Sequence, residues 1–234
     1  MLKRSLFAAA IALCLPAAAD PADAVDLTIL PGWDTENGTR MIGLKFRLDE
    51  GWKTYWRAPG DAGIPPAVSW RGSKNITGAT FHWPTPDIQN QSGMRTLGYQ
   101  DTFTIPVELA RKSSGALRAK GKLEIGVCNE ICVPITLRFD AALPDAGARD
   151  SAIISALIDQ PMTAKEGRVT QSVCNFSPTS DGAKIEVRLK MPSLGANEVA
   201  VIEAGDPRVW VAEPTLARQG GWLIAKTRMY HDYD

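Results

Sequence analysis

The sequence predicts an all-β protein: an antiparallel β-sandwich, one linking helix, and a second, incomplete β-sandwich unit. Three observations carry this. Stretches such as Met41 to Leu48 and Leu117 to Val127 alternate apolar and polar residues with period two, the mark of a half-buried strand. Turn residues separate these stretches at short intervals, as they do in sandwiches. Only one window, near residues 150–158, spaces its apolar residues as a helix does.

Residues 1–19 read as a signal peptide. Lys3 and Arg4 precede an apolar run from Leu6 to Leu15, and Pro16 ends it. Ala17-Ala18-Ala19 offers a cleavage site before Asp20, with Ala22-Asp23-Ala24 as a second choice. The run is too short for a membrane span of about twenty residues. An exported, soluble mature chain that does not span a membrane is expected, with a bacterial periplasm as its location.

Residues 20–142 form the first expected β-unit. Its strands are Val25 to Leu30, Met41 to Leu48, Trp52 to Arg57, Val68 to Arg71, Ala79 to Trp83, Phe103 to Leu109 and Leu117 to Val127. Prolines and glycines make Ala58 to Pro66 a rigid loop with no ladder to join. Pro84 to Gly98 reads as a long polar loop, and residues 140–149 as a linker rich in Ala, Asp, Gly and Pro. Within 143–161, Asp150 or Ser151 caps a helix whose stripe is Ile153, Ile154, Leu157 and Ile158. It is expected to dock between two β-units.

Residues 162–234 read as five strands: 168–175, 183–190, 198–203, 208–212 and 222–229. An immunoglobulin-type sandwich wants about seven. The expectation is a truncated unit, or one that needs a partner to finish its sheet.

Formal charge is zero, with 26 basic and 26 acidic residues, so nothing favours nucleic acid or an anionic membrane as partner. There is no nucleophile motif, Gly-rich phosphate loop or tight carboxylate pair, and no cofactor is expected. Trp33, Trp52, Trp56, Trp70 and Trp83 all fall in the first unit. They read as packing residues rather than a sugar-binding platform.

The chemistry concentrates in Gly126-Val127-Cys128-Asn129-Glu130-Ile131-Cys132-Val133-Pro134. Leu123, Ile125 and Val127 alternate before it, and Val133, Ile135, Leu137 and Phe139 after it. Two such runs joined by three residues read as a β-hairpin with Asn129, Glu130 and Ile131 at the tip. Along one continuous strand the two cysteines would lie roughly 13 Å apart, but across a hairpin mouth about 4.5–5.5 Å, within disulfide range. The register puts both sulfurs on the polar face, with Glu124, Gly126, Thr136 and Arg138, where an incoming thiol is expected to reach them. Export removes Cys14 and leaves three cysteines, so Cys174 is the unpaired thiol. It reads as a buried free thiol, or as half of a disulfide completed beyond residue 234.

Three uses of the pair stand open on the residues alone: a structural staple, a redox couple, or a soft-metal site for an ion such as Cu(I). Zinc normally takes four ligands. The two histidines, His82 and His231, are far apart in sequence, so no metal site is expected. The tight loop favours redox use, because a small loop constrains the unfolded chain least.

The run Gly51-Trp52-Lys53-Thr54-Tyr55-Trp56-Arg57-Ala58-Pro59-Gly60-Asp61-Ala62-Gly63-Ile64-Pro65-Pro66 is followed by Trp83-Pro84-x-Pro86, Gly98-Tyr99-Gln100-Asp101 and Gly126-Val127-Cys128-x-x-x-Cys132-Val133-Pro134. Together these resemble the periplasmic N-terminal part of the DsbD/ScsB group of thiol:disulfide interchange proteins, closest to the ScsB-like branch linked with copper tolerance. The resemblance implies an immunoglobulin-like sandwich with Cys128 and Cys132 as catalytic residues, exchanging electrons with periplasmic thiol and disulfide proteins. It also implies a mobile aromatic loop shielding the pair, for which Gln91 to Gln100, carrying Tyr99, is the candidate. Full family members carry a multi-span membrane domain and a thioredoxin-like domain, and these 234 residues hold neither. A separate membrane electron donor is therefore expected. The other reading is a non-catalytic binding or adaptor module with a structural disulfide, in copper handling.

Overall fold

In the computed structural model, residues 20–91, 93–144, 147–206 and 209–231 are described. The expected signal peptide lies outside them. A 3-10 turn at Pro21–Ala24 leads into β1 (Val25–Asp34), β2 (Arg40–Leu48), β3 (Lys53–Tyr55), β4 (Ala67–Ser69) and β5 (Ile76–Phe81). Then follow β6 (Asp87–Gln91), β7 (Met94–Gln100), β8 (Thr102–Arg111), β9 (Leu117–Cys128) and β10 (Cys132–Leu143). After helix α1 (Ser151–Ile158) come β11 (Gln171–Thr179), β12 (Gly182–Lys190), β13 (Val209–Val211), β14 (Thr215–Gln219) and β15 (Trp222–His231).

The first ten strands make two antiparallel sheets. One has the order β1-β2-β8-β5, the other β10-β9-β3-β7-β6, with β4 on β9. Their facing sides share one core: Leu44, Phe46, Ile105 and Val107 from the first sheet meet Leu123, Ile125 and Val127 from the second. The Phe46, Phe103 and Tyr99 rings stack through it, with centroids 4.7 Å and 4.3 Å apart. Alternation thus does what period two requires, sending one side of each strand into the core. Trp52, Trp70 and Trp83 pack against the same core, and Trp56 is buried beside Leu97 and Tyr99, which supports the packing reading.

Three expectations change. Pro84 to Gly98 is not a loop but the β6/β7 hairpin. Its turn rests on Asn90, whose Oδ1 accepts the Gly93 N–H at 3.1 Å, and on Gly93 at φ 83°. That is short-range turn chemistry inside a stretch too polar to show a strand pattern. The linker starts later than expected, since β10 runs on to Leu143. The helix docks on the first unit rather than between two units. Asp150 caps it by accepting the Ala152 N–H at 2.8 Å, and Ile153 is fully buried against β2. Gly43 makes room: a Cβ there would meet Ile153 Cγ1 at 2.8 Å. Ile158, expected on the stripe, is 79% exposed.

The third sheet runs β11-β12-β15-β13, with β14 also on β15. Five strands were expected and five occur, as a single layer among the described residues. Their identities differ in one place: 198–203 is outside any strand, and Thr215–Gln219 supplies the fifth. The reason lies in side chains. Glu198 accepts the Leu194 N–H at 2.9 Å and pairs with Arg218, whose Nη1 also donates to the Met191 carbonyl at 2.8 Å. This clamp, rather than a ladder, fixes residues 191–198. β11 is an exposed edge strand, with Val173 and Phe176 open to solvent.

The clamp predicts an acid dependence. The hydrogen bonds from Arg218 chiefly hold the Glu198 carboxyl down at about 2, against an ordinary 4.5. A depressed carboxyl contributes stability that is full above its unfolded value and is lost as pH falls through the folded one. Glu198→Gln should therefore lower Tm by a few degrees near neutral pH, with the difference shrinking below about pH 4.5 and vanishing near pH 2. Thermal melts across that range check it; a difference independent of pH would contradict the clamp.

Candidate functional site: a shielded disulfide at a hairpin mouth

Cys132 faces Cys128 in the β9/β10 ladder, with Val133 opposite Val127 and Ile135 opposite Ile125. The hairpin has the expected register, and Asn129, Glu130 and Ile131 form its tip. The two Cα atoms are 4.2 Å apart and the sulfurs are bonded. A loop this short adds only about 2 kcal/mol as a constraint on the unfolded chain.

Both sulfurs lie on the side of β9 away from the core residues Leu123, Ile125 and Val127, as alternation requires. That side is not open, however. Cys128 is fully buried and Cys132 half-buried, which corrects the expectation of a freely reachable pair. The cover comes from β3, which pairs with this end of β9: Lys53 lies opposite Cys128 and Thr54 opposite Val127. Thr54 Oγ1 donates to the Gly126 carbonyl at 2.8 Å and locks the strands together. Tyr55 then lies against Gly126. A Cβ on Gly126 would meet the Tyr55 ring at 2.8 and 2.9 Å and Ile64 Cβ at 2.6 Å, so only glycine admits this cover.

The Tyr55 hydroxyl reaches both sulfurs, at 2.7 Å from Cys128 Sγ and 3.0 Å from Cys132 Sγ. Disulfide sulfurs carry no hydrogen, so the hydroxyl is the donor. The Ala62 carbonyl lies 3.5 Å from the same hydroxyl. Burial pushes the Tyr55 pKa up, so the phenol stays protonated and keeps its hydrogen for sulfur. On reduction the same donor faces a thiolate, which a hydrogen bond stabilises more strongly than it does a neutral thiol. Lys53 adds a cationic residue directly across the ladder from Cys128.

Tyr99 is placed elsewhere. Its ring stacks on Phe103 in the interior, its hydroxyl donates to the Pro84 carbonyl at 2.8 Å, and burial raises its pKa. The aromatic residue at the sulfurs is Tyr55, with residues 58–66 beside it rather than 91–100. The sequence predicts a strand over 52–57, but no local pattern names its neighbour. Gly126 is the available signal, since a glycine inside a strand marks a close approach of a neighbouring segment. Cys174 is a free, exposed thiol on the edge strand β11, not a buried one. His82 pairs with Glu108 at 3.4 Å, remote from the pair in the ladder. Among the described residues no group of three or more His, Cys, Asp or Glu side chains is arranged to hold a metal ion.

Residues 23–144 match the family of the thiol:disulfide interchange protein DsbD, N-terminal. The chain belongs to this DsbD N-terminal family. Its fold is similar to that of the N-terminal periplasmic domain of ScsB from Proteus mirabilis, at 21% identity, TM-score 0.67, and coverage of 92% of this chain and 84% of that one. The N-terminal domain of Neisseria meningitidis DsbD in its reduced form aligns at 16% identity and TM-score 0.34, over 53% of this chain and 89% of that one. No curated protein sequence matches the chain. The ScsB likeness runs beyond the family match into the helix and third sheet. The DsbD N-terminal family is one of thiol:disulfide interchange domains, and Cys128–Cys132 is a cysteine pair at bonding distance within it.

The Tyr55 geometry is testable in the reduced protein. Tyr55→Phe should raise the pKa of the more acidic thiol by about one unit, the scale of one hydrogen bond to a charged group. Ultraviolet titration of the thiolate measures it. An unchanged titration curve would remove Tyr55 as the donor.

Proposed function

We propose that this is a periplasmic thiol–disulfide exchange protein that passes electrons through Cys128 and Cys132 to or from partner proteins. The observation that carries the reading is the Tyr55 hydroxyl within hydrogen-bond reach of both sulfurs in a hairpin of the DsbD N-terminal family. A staple needs no such donor; a leaving thiolate does. No helix among the described residues is long and apolar enough to cross a membrane.

The burial difference supports a division of roles. Cys132 is the half-buried sulfur and Cys128 the fully buried one. In the reduced protein the Cys132 thiolate attacks a partner disulfide, and the partner's leaving sulfur departs as thiolate. Cys128 then attacks Cys132 in the mixed disulfide, closing the internal bond and releasing the second partner sulfur. Two electrons pass to the partner, and the Tyr55 hydroxyl stabilises whichever cysteine is the thiolate. Running the steps backwards reduces this protein instead.

The complete burial of Cys128 also favours a second reading, an adaptor with a structural disulfide, in copper handling. The reduction potential separates the two. Equilibration with glutathione buffers should place the pair above about −300 mV; a lower value marks a resistant structural bond and rules out exchange. Cys128→Ser should accumulate mixed disulfides through Cys132, while Cys132→Ser should not. Trapping by neither variant would favour the adaptor.

A further inference from the structure

We propose that Glu203 and Glu213 of the second β-unit latch the loop packed against Tyr55 and Gly126 beside the disulfide, so that reaction at Cys128–Cys132 requires polar contacts between the two β-units to release. The inference rests on the redox reading for its purpose, and on geometry for its content.

The loop 58–66 lies beside Tyr55 and places Ile64 against Gly126. It has little to hold it from within. It joins no ladder, and Pro59, Pro65 and Pro66 have no N–H to donate. The Pro59 carbonyl accepts the Leu97 N–H at 3.0 Å, and Gly63 N–H reaches the Gly60 carbonyl at 3.3 Å. The Ala62 carbonyl lies 3.5 Å from the Tyr55 hydroxyl. Further ties run to the other unit. Asp61 Oδ1 accepts the Glu213 backbone N–H at 3.0 Å. Arg57, at the root of the loop, pairs bidentately with Glu203, with both N–H···O distances at 2.9 Å. Arg57 is aimed by its guanidinium lying 3.9 Å over the Trp56 ring. Arg95, whose carbonyl abuts Gly60, pairs with the Glu213 carboxylate.

These contacts bridge a cleft of about 800 Å³ between the loop and residues 199–206 and 209–214. Two basic residues on the disulfide-bearing unit meet two acidic ones on the other, so charge fixes which surfaces face. The ion pairs are half-exposed, each of modest worth, and therefore easily broken by a competing partner. A fixed loop keeps Ile64 against Gly126 and the Ala62 carbonyl 3.5 Å from the Tyr55 hydroxyl, whereas a released one frees that side of Tyr55 and widens the approach to the sulfurs beneath it. Glu203 and Glu213 touch no sulfur; they act by position.

The test is the rate at which dithiothreitol reduces the oxidised full chain. One thiolate of the reagent attacks a protein sulfur, and its second thiol closes the oxidised ring, leaving two protein thiols. Arg57→Ala and Glu203→Ala should each speed reduction about threefold, in keeping with a half-exposed ion pair. The double variant should be no faster than either single one, because both remove one contact. Asp61→Ala should also accelerate reduction, while Asp61→Asn, which keeps an acceptor oxygen, should stay near the parent rate. Glu186→Ala breaks a pair with Lys226 inside the third sheet and should change nothing. Parent-like rates in Arg57→Ala, Glu203→Ala and Asp61→Ala would overturn the latch, as would equal acceleration by Glu186→Ala, which would mean general loosening. The redox reading fails separately. A potential below about −300 mV with accelerated variants removes exchange and keeps the latch; a higher potential with unchanged rates does the reverse.

Discussion

Everything distinctive about the disulfide depends on the packing of Tyr55 against Gly126. The hairpin alone would present two sulfurs on a solvent-facing side of an edge strand and its neighbour. The missing Cβ at Gly126 lets an aromatic ring settle onto the strand, and the ring carries a hydroxyl to both sulfurs. Burial keeps that hydroxyl protonated. One absent methyl group thus sets accessibility, hydrogen bonding and thiolate stability together. The bond itself contributes only about 2 kcal/mol as a cross-link, small beside the apolar core beneath it.

The hairpin and its register were legible because alternation runs unbroken through both arms and fails only over three tip residues. Alternation reports which side a residue takes, not what lies on that side. Hence the polar side of Cys128 was read as open. Its cover comes from β3, a three-residue strand paired with a segment more than seventy positions away, and no local pattern announces such a neighbour. The β6/β7 hairpin escaped because Asp87–Gln91 is nearly all polar. Residues 198–203 differ the other way: the strand pattern is present, but they join no ladder, and Glu198 at their start is held by Arg218 instead. In the aromatic assignment, Tyr99 went to the stacked interior and Tyr55 to the sulfurs, a distinction set by long-range pairing.

The two β-units are tied by unlike means. Within the first, a continuous apolar core joins the sheets, and Arg40, buried and bonded to the Pro31 carbonyl and Asp34, secures the β1/β2 end. Between the two units, among the described residues, the ties include the Arg57–Glu203 and Arg95–Glu213 ion pairs and the hydrogen bond from the Glu213 N–H to the Asp61 carboxylate. Apolar contact is insensitive to salt, whereas exposed charge pairs are screened by it. The molecule therefore combines a disulfide hairpin set on an apolar core with a salt-sensitive boundary beside it. The likeness to the Proteus mirabilis ScsB domain spans both parts, so this pairing of units belongs to a shared architecture.

Tyr55 occupies the last position of β3, held opposite Gly98 in the ladder, while the loop that follows has no ladder at all. The hydrogen-bond donor and the movable cover are thus neighbours in sequence but differ in how firmly they are anchored. Release of the proposed latch would therefore leave the phenol in place. Under the proposed exchange, electronic tuning of sulfur is decoupled from steric admission, and the two properties are free to diverge independently: substitutions beyond Arg57 would adjust who enters, while those at Tyr55 would adjust how readily the bond exchanges.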